Sequence, residues 1–374
     1  MNSIELSKKI GGKIEVNSKI KLSKDNLAVL YTPGVADVCN AIAKNKKLSF
    51  EYTIRKNSVA VISDGSAVLG LGNIGPEAGL PVMEGKALLF KELGGVDAFP
   101  IVLATQDTEE IIKTIKFLEP TFGGINIEDI SAPRCFEIEE RLKRELSIPV
   151  FHDDQHGTAI IVLAGLINSL KVVKKDIKKV KIVISGAGAA GVAITKLLIR
   201  YGAKNIVVVD SRGIIFKNRD GGLNSSKMEI SSITNRYNIQ GTIEHALEGA
   251  DVFIGVSAPN ILNSVHISKM NADAIVFSMS NPVPEIMPEE AKKGGAKIVA
   301  TGRSDYANQL NNVLVFPGVF RGALDNGIKK ITYAHKLAAA CAIADLIKKP
   351  TVDMIVPEAL DPRVAKAVAT VFKK

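Results

Sequence analysis

The sequence predicts an α/β protein with two domains, and three observations lead to this prediction. The chain has 374 residues, more than a single hydrophobic core usually organises. Short β-branched segments alternate with amphipathic helical segments, a pattern typical of βαβ units with a mostly parallel sheet. The alternation is interrupted by the lysine-rich segment 171–179 and starts again at Val180. We therefore expect one domain over residues 1–160 and another over residues 161–374.

The first domain is expected to alternate strands and helices before one long helix. Its predicted strands are residues 59–63, 99–104, 124–127 and 148–151, and its predicted helices are residues 108–118, 135–146 and 158–170. In the second domain, buried strands are predicted at 181–185, 205–210, 251–258 and 274–281, and two helices at 331–347 and 363–372. The packing partner of these last two helices is not readable from the sequence.

The composition is that of an ordinary globular protein that can bury a large core, with 46% hydrophobic and 23% charged residues. Three scattered cysteines, Cys39, Cys135 and Cys341, form no CxxC pair, which fits a reducing compartment and offers no zinc framework. The N-terminal segment MNSIELSKKIGGKIE has no long apolar stretch, so neither a secretory signal nor a membrane anchor is expected. These features predict a cytoplasmic protein with no membrane partner.

The formal net charge of +9 does not indicate a nucleic-acid partner. Its densest cluster lies at residues 171–181, yet aromatic residues make up only 5% of the chain and do not alternate with these lysines. A nucleic-acid surface usually combines phosphate-binding cations with stacking aromatics or a groove-reading helix. We interpret the cluster as a solvated face, and the mild positive field as suited to a small dianionic substrate.

Residues 181–191 read as a strand, a glycine-rich turn and a helix start. Gly186, Gly188 and Gly191 match GxGxxG, in which the first glycine makes the turn, the second lets backbone approach a pyrophosphate and the third allows close helix packing. The helix N-terminus then directs free N–H groups towards the phosphates. We expect a Rossmann-like, doubly wound domain whose cofactor-binding turn comprises Gly186, Ala187, Gly188, Ala189, Ala190 and Gly191.

An acidic residue at the end of the next predicted strand bears on the choice of dinucleotide. Asp210 follows Gly191 by 19 positions, where a carboxylate commonly binds the adenine-ribose hydroxyls. This position favours NAD. Arg212 follows closely and offers a cation for a 2′-phosphate, so NADP also remains open.

Two pairs of acidic residues follow neighbouring strands of the first domain. Glu128 and Asp129 follow the strand 124–127, and Asp153 and Asp154 follow the strand 148–151. Ligands of open α/β sheets bind outside the carboxyl ends of the strands, so we expect both pairs to converge on one crevice. Oxygen ligands without nearby cysteine favour a hard cation, Mg²⁺ or Mn²⁺.

The segment HDDQHGT, residues 152–158, also admits two other interpretations. His152 and His156 are four residues apart, a spacing that suits zinc on a helix. Gly157 and the preceding strand disfavour a regular helix across both histidines, and the glutamate of HExxH is absent. Alternatively, Asp153 or Asp154 caps the helix expected to begin near Thr158, and one acid of the pair can cap while the other binds a cation.

Two further residues are candidates for proton transfer. Tyr31 lies in the turn YTPGVA, and Lys86 lies where MEGKALLF is expected to open an apolar helix. A lysine near a helix N-terminus, a metal and a cationic nicotinamide loses its proton more easily and can act as a base. Taken alone, each also fits a structural role, as a turn-packing phenol and a surface amine. The glycine-rich segment 63–76 between them does not match a P-loop and is expected to line the crevice.

Together, the motifs resemble the malic enzyme family, and closely its short prokaryotic form. In chain order they are YTPGVA, SDGSAVLGLGNIG, MEGKALLFK, INIED, HDDQHGT, GAGAAG, SNPVPE and NNVLVFPG. The resemblance runs from about Tyr31 to Ile347. It implies oxidative decarboxylation of L-malate to pyruvate and CO₂, with reduction of NAD or NADP and a divalent metal. It also suggests a homodimer in which active-site residues can cross the interface.

The resemblance implies roles for individual residues. Tyr31 matches the family's acid and Lys86 its base. The implied metal ligands are Glu128, Asp129 and Asp154, with Asp153 in support, and the implied substrate-binding residues are Asn281, which also borders the cofactor, and Asn312. The histidines are then not ligands. Ala67 stands where larger eukaryotic members carry an arginine, so the group that holds one malate carboxylate is left open.

Two alternative functions remain at this level. A malolactic-type enzyme uses the same scaffold, keeps NAD bound and releases lactate. A non-catalytic NAD(P)-binding sensor belongs to a different class, and it would be expected to lack Lys86, Tyr31 or the acidic triplet, all of which are present.

Overall fold

The computed structural model describes residues 2–373 and begins with four short helices in which no side chain is buried. They are α1 (Ser3–Ile10), α2 (Lys24–Leu30), α3 (Val35–Lys44) and α4 (Ser49–Tyr52). Many large apolar side chains of this segment are exposed, among them Val16 at 90% and Val29 at 72%. Apolar surface of this extent in one segment is typical of an interaction surface.

A four-stranded parallel sheet with the order β2-β1-β3-β4 forms the first layer. Its strands are β1 (Ser58–Ser63), β2 (Asp97–Val102), β3 (Gly124–Ile127) and β4 (Val150–His152). The helices that connect and follow them are α5 (Pro76–Gly94), α6 (Thr108–Leu118), α7 (Arg134–Glu145) and α8 (Asp153–Val173). The predicted bounds of β3 and α6 agree with the structure, and the other three strands are displaced by at most two residues.

Two helices begin earlier than the sequence suggested. Helix α5 begins at Pro76, directly after the positive-φ residue Gly75, because proline is well accommodated in a first helical turn. The prediction that MEGKALLF opens this helix is therefore wrong, and Lys86 lies in its middle. Helix α8 begins at Asp153 rather than near Thr158, and it passes through Gly157 without interruption.

A six-stranded sheet with the order β10-β9-β8-β5-β6-β7 forms the second domain, and all its pairs are parallel except β6 with β7. Its strands are β5 (Lys181–Ser185), β6 (Asn205–Asp210), β7 (Gly213–Ile214), β8 (Val252–Gly255), β9 (Ala274–Ser278) and β10 (Ala296–Thr301). The predicted two-domain α/β fold, with a Rossmann-like second domain, is confirmed.

Eight further helices accompany this sheet in the described residues. They are α9 (Ala189–Tyr201), α10 (Ser225–Ile233), α11 (Ile243–Leu247), α12 (Ser264–Ser268), α13 (Pro288–Lys293), α14 (Phe316–Asp325), α15 (Tyr333–Asp345) and α16 (Arg363–Thr370). The chain also contains the 3-10 helices Lys46–Leu48, Ile54–Lys56, Leu69–Leu71, Glu119–Thr121 and Asn312–Leu314. Helix α14 packs on α5 and α16, and α15 packs on α8, so the C-terminal helices join the two sheets.

Helix α8 is the central core element, with every residue from Ala159 to Leu170 buried. It is the single helix among the described residues that is long and apolar enough to cross a membrane, and 78% of its most apolar window is buried in the protein. Such burial is typical of the core helix of a soluble protein. The domain boundary expected near residue 160 falls inside this helix and stays a prediction.

Candidate active site

Helix α5 carries Lys86 into the protein interior. The residue lies on the same buried face as Met83, Ala87 and Phe90, and it is 7% exposed. The ammonium nitrogen lies 4.3 Å from the centroid of the Phe316 ring, at the start of α14. Because Lys86 follows ten helical residues, the positive end of the helix dipole does not act on it, contrary to the expectation from the sequence.

The end of β3 supplies the first acidic pair. Glu128 and Asp129 are each 4% exposed. Asn126, on the strand itself, donates a hydrogen bond of 3.0 Å from Nδ2 to Glu128 Oε2. Asp129 has φ of +53°, a backbone conformation that non-glycine residues adopt mainly when their surroundings hold it. The chain thereby turns sharply after Glu128, and both carboxylates remain at the strand end.

The junction of β4 and α8 supplies the second pair. His152 caps the helix, since its Nδ1 accepts a hydrogen bond from Gln155 N at 3.3 Å. The expectation that Asp153 or Asp154 caps the helix is therefore wrong: the helix begins one turn earlier, and both aspartates fall in its first turn. Asp154 Oδ2 accepts a hydrogen bond of 2.8 Å from the backbone N of Asp129, which joins the two acidic pairs.

Lys86 bridges the two strand ends. Its Nζ lies 2.5 Å from Asp153 Oδ2 and 2.7 Å from Glu128 Oε1. Burial by itself lowers the pKa of Lys86, but the nearby charges of Asp153, Glu128 and Asp154 outweigh it and hold the pKa above its ordinary value. The carboxylates alone therefore favour the ammonium, and the easier proton loss expected beside a metal and a cationic nicotinamide stays a prediction.

Three carboxylates are arranged so that they could share one cation. Glu128, Asp129 and Asp154 each offer an oxygen, and these oxygens lie within 4.8 Å of one another. Burial raises the pKa of Glu128 and of Asp154, because each anion loses hydration beside another negative charge. A hard divalent cation prefers such oxygen ligands and would compensate this charge. The residues present therefore fit Mg²⁺ or Mn²⁺.

The two histidines of HDDQHGT have other partners. His156 Nε2 lies 2.9 Å from Glu139 Oε2, on α7, and Lys143 Nζ lies 2.5 Å from Glu139 Oε1. Glu139 also accepts a hydrogen bond from the backbone N of His152 at 3.1 Å. This buried glutamate thus anchors the start of α8. The contacts support the histidines' structural role rather than a shared zinc ion.

A cavity of about 760 Å³ connects the acidic residues with the second domain. The sequence-predicted residues that line it are Lys86, Glu128, Asp129, Asp154, Ala190, Asn281 and Asn312. Ala67 and Gly70 also line it, as expected for the glycine-rich segment. Gly70 lies so close to Asn281 that a Cβ at position 70 would be 1.9 Å from the Asn281 carbonyl oxygen. Residues of both domains therefore meet at one site.

The glycine-rich turn has the geometry that a dinucleotide needs. Gly186 has φ of +112°, and a Cβ there would lie 2.5 Å from the carbonyl oxygen of Val256. A Cβ at Gly191 would lie 1.8 Å from the carbonyl oxygen of Gly186, whereas one at Gly188 would meet no atom within 4 Å. The protein's own packing thus requires glycine at 186 and 191. Gly188 leaves open space at the N-terminus of α9, where a pyrophosphate can approach.

Asp210 ends β6, as predicted, but its carboxylate is not free. Arg219 lies 2.7 Å and Lys227 2.8 Å from its Oδ2, and the backbone N of Arg212 donates to its Oδ1 at 2.9 Å. Burial tends to raise the pKa of Asp210, but these partners outweigh it and hold the pKa well below its usual range. Asp210 is therefore ionised and surrounded by basic residues.

Tyr31, unlike Lys86, the other candidate for proton transfer, lies away from the cavity. It follows α2 in the N-terminal segment, is 67% exposed, and is not among the described residues that line the cavity. The structure therefore brings Lys86, the acidic residues and the asparagines together within one chain, and leaves the phenol on the surface.

Sequence reasoning missed several residues of the site. Lys13 lines the cavity, Asn126 orients Glu128, and Phe316 covers the Lys86 ammonium. Arg219 and Lys227 pair with Asp210. The alternating positions of Asn126 and Glu128 on one strand were a readable signal. The other contacts join residues distant in sequence, for which no local pattern exists.

Comparison with known proteins covers nearly the whole chain. Residues 11–143 match the family model "Malic enzyme, N-terminal domain", and residues 155–372 match "Malic enzyme, NAD binding domain". An NAD-dependent malic enzyme of Geobacillus stearothermophilus is 55% identical, over 96% of this chain and 75% of that protein. A bifunctional malic/malolactic enzyme of Bacillus subtilis is 52% identical, over 100% of this chain and 92% of that protein.

Solved structures give the same result. The NAD-dependent malic enzyme from Thermotoga maritima superposes with a TM-score of 0.97 at 51% identity, covering 100% of this chain and 99% of that one. An NADP-dependent malic enzyme of Escherichia coli is 44% identical over 98% of this chain, which spans 50% of that longer protein. Family members thus include users of both dinucleotides. Family models over both domains, and relatives matched over most of their length, show that this chain belongs to the malic enzyme family of oxidoreductases.

Proposed function

We propose that this protein catalyses the oxidative decarboxylation of L-malate to pyruvate and CO₂, with reduction of NAD⁺ or NADP⁺. One observation carries the proposal: a buried lysine, an acidic triplet suited to a divalent cation and two asparagines line a single cavity, beside the dinucleotide turn. Hydride transfer from C2 needs a nicotinamide beside this carbon and a base beside its hydroxyl. Loss of CO₂ then needs a cation that stabilises the enolate. The cavity has room for the nicotinamide and the cation, and Lys86 can be the base.

Lys86 is proposed as the base that takes the proton of the C2 hydroxyl while the C2 hydride moves to nicotinamide. As an ammonium it must first release a proton, and Asp153 Oδ2, 2.5 Å from Nζ and wholly buried, is placed to hold it. Asn281 and Asn312 are proposed to orient the substrate through their amides. Near-wild-type kcat in Lys86→Ala would reject the assignment of the base.

Glu128, Asp129 and Asp154 are proposed to hold Mn²⁺ or Mg²⁺, with Asp153 in support through Lys86. When bound, the ion supplies Lewis-acid stabilisation of charge on the C2 oxygen. Asp154→Ala is expected to raise the Mn²⁺ concentration needed for half-maximal thermal stabilisation. An unchanged Mn²⁺ titration of the melting temperature would exclude Asp154 as a ligand.

A homodimer is proposed to complete the site with Tyr31 of the partner subunit. The exposed apolar residues of the N-terminal segment provide a surface that a second copy can bury. Tyr31 lies on this segment and outside its own cavity, so the phenol that protonates C3 of enolpyruvate would come from the other subunit. Mixing inactive Tyr31→Phe with inactive Lys86→Ala tests this, because mixed dimers then regain one intact site. If verified mixed dimers of the two variants remain inactive, the proposal is contradicted.

NAD is proposed as the better coenzyme, since the ionised Asp210 would repel a 2′-phosphate. Arg212, Arg219 and Lys227 around this carboxylate make NADP the second candidate. The ratio of kcat/KM for the two nucleotides decides between them. We also propose that the protein works in the cytoplasm, a compartment that suits its three free cysteines.

The reaction is tested by initial rates with malate, each nucleotide and each metal, following reduced nicotinamide and pyruvate. Both products should form in equal amounts, and EDTA should abolish their formation. The malolactic alternative is favoured by the name of the Bacillus subtilis relative. Lactate formation without net nucleotide reduction would select that reaction instead. Equal rates with and without EDTA would contradict the metal-dependent reaction.

A further inference from the structure

The cavity lacks an obvious cation for one end of a dicarboxylate. Lys86 and Lys13 are the two cationic side chains among the described residues that line it. Lys86 is already bound to Glu128 and Asp153. Ala67, in the glycine-rich segment of the cavity wall, carries no charge. A doubly negative substrate therefore leaves one carboxylate without a charged partner unless Lys13 supplies it.

Lys13 is held over the same helix that carries Lys86. The chain leaves α1 through Gly11 and Gly12, with φ of +67° and +136°, and so turns back towards α5. The backbone N of Lys13 donates to Glu84 Oε2 at 3.3 Å, and its Nζ donates to Pro81 O at 3.0 Å. Pro81 precedes Lys86 by five residues, about 7.5 Å along the helix axis. Lys13 and Lys86 thus line one cavity at separate positions along α5.

The Lys13 ammonium keeps bonding capacity for a ligand. An ammonium has three N–H donors, and one is used by Pro81 O. Glu84 Oε2 is 3.8 Å from Nζ, too far for a hydrogen bond, so this ion pair is loose. The side chain is 32% exposed and lines the cavity, so a ligand there can reach it.

Arg134 is a poorer candidate, although it lies beside the glycine-rich segment. Its guanidinium donates to Ser66 Oγ at 3.0 Å and to Ser131 Oγ at 3.1 Å, and it lies 3.0 Å from Asp64 Oδ2. These contacts keep it on the protein's own groups, and it does not line the cavity among the described residues. Among the described residues that line the cavity, Lys13 therefore remains the cation available to a ligand.

We propose that Lys13 binds the substrate carboxylate remote from the reacting hydroxyl, and so makes the site select a dicarboxylate. The assignment rests on the proposed function. It gives Lys13 the carboxylate-binding role for which Ala67 has no charged group. On substrate binding, the Lys13 ammonium turns from its loose contact with Glu84 to the substrate carboxylate. The backbone N of Lys13 keeps its hydrogen bond to Glu84. A charge-assisted hydrogen bond of this kind changes affinity by about tenfold to hundredfold.

The test measures binding, so that it does not depend on turnover. Calorimetric dissociation constants for L-malate and for pyruvate, which lacks the remote carboxylate, are compared in Lys13→Met and the wild type with Mn²⁺ and no nucleotide. Lys13→Met should weaken malate by about tenfold to hundredfold and change pyruvate by less than about twofold. Lys13→Arg keeps the charge and should restore most of the malate affinity. Lys113→Met, an exposed lysine on α6, serves as the matched control.

Two outcomes of the comparison would overturn the assignment. Equal weakening of malate and pyruvate would show that Lys13 only ties its segment to α5. Unchanged malate binding would show that it has no contact with the substrate. If the wild type binds malate but forms neither pyruvate nor reduced nucleotide, the proposed reaction is rejected. The binding comparison of Lys13→Met with the wild type then still tests whether Lys13 contacts the remote carboxylate. A wild type that binds no malate rejects both proposals.

Discussion

The substitution Gly157→Ala should disable the site through a contact that involves no substrate. Gly157 lies in the second turn of α8, and a Cβ there would be 1.9 Å from Asp153 Oδ1 and 2.8 Å from Asp153 Cγ. Asp153 is wholly buried, so a shift of its carboxylate or of the α8 backbone must relieve this contact. Any such movement disturbs its 2.5 Å contact with Lys86 Nζ.

The expected magnitude follows from two opposing effects on stability. Alanine is favoured over glycine inside a helix by about 0.5–1 kcal/mol. Loss of a buried charge partner costs about 3–5 kcal/mol, so the free energy of unfolding should fall by a net ~2–4 kcal/mol. A misplacement near 1 Å at a reacting group lowers activity by about a hundredfold, and we expect a similar loss in kcat/KM for malate.

The assay combines chemical unfolding with initial rates, and Gly79→Ala is the matched control. Gly79 is a buried glycine of α5 whose added Cβ would have its nearest contacts at 3.5 Å, an ordinary distance. This control should be as stable as the wild type or more stable, with unchanged kcat/KM. A Gly157→Ala protein with wild-type kcat/KM would refute the argument that the Asp153–Lys86 contact requires glycine at this position.

Three further predictions concern other parts of the molecule. Gly70→Ala would place a Cβ 1.9 Å from Asn281 O, so it should displace the loop that carries Asn281. Initial rates should show a loss of kcat/KM of about tenfold or more. Unchanged rates would show that this loop moves freely. Asp210 has a pKa below its ordinary 3.8 in the folded protein, so its stabilising effect is complete above that pH and is lost as the pH falls towards the folded value. Unfolding of Asp210→Asn should therefore depend less on pH below about 4 than unfolding of the wild type does, and parallel pH profiles would contradict this. Asn168 is buried and donates to Ala344 O and Ile355 O, both at 2.9 Å, so Asn168→Leu should lower the free energy of unfolding by about 1–3 kcal/mol while kcat is unchanged. Equal stability in urea would show that these carbonyls find other donors.

Local sequence patterns were sufficient for the framework of the fold. The bounds of β3, α6 and β6 follow directly from apolar periodicity and from the turn residues beside them. The convergence of the acidic pairs followed from one topological rule, because both pairs end neighbouring parallel strands. These features depend on residues that are close in sequence or on general properties of parallel sheets.

The errors have equally specific causes. Helix α5 contains Pro81 in its second turn, and sequence rules disfavour proline inside a helix. At α8 the cap is an imidazole, His152, whereas sequence rules favour Asp for this position. Lys13 belongs to a segment that reaches the cavity only through its tertiary contacts with Glu84 and Pro81. Its role depends on contacts about 70 residues apart, which no local pattern encodes.

The charge balance around Lys86 fits a binding role of this cluster better than a role in stability. Four carboxylates, those of Glu128, Asp129, Asp153 and Asp154, lie at two adjacent strand ends with one ammonium among them. Burial raises the pKa of Asp153, Glu128 and Asp154, so ionisation of these carboxyl groups is disfavoured inside the protein, whereas the same carboxylates raise the pKa of Lys86. A stability-optimised core would replace such groups with apolar side chains of similar volume. Retaining them in a cavity wall is expected only if a ligand of opposite charge compensates the cluster.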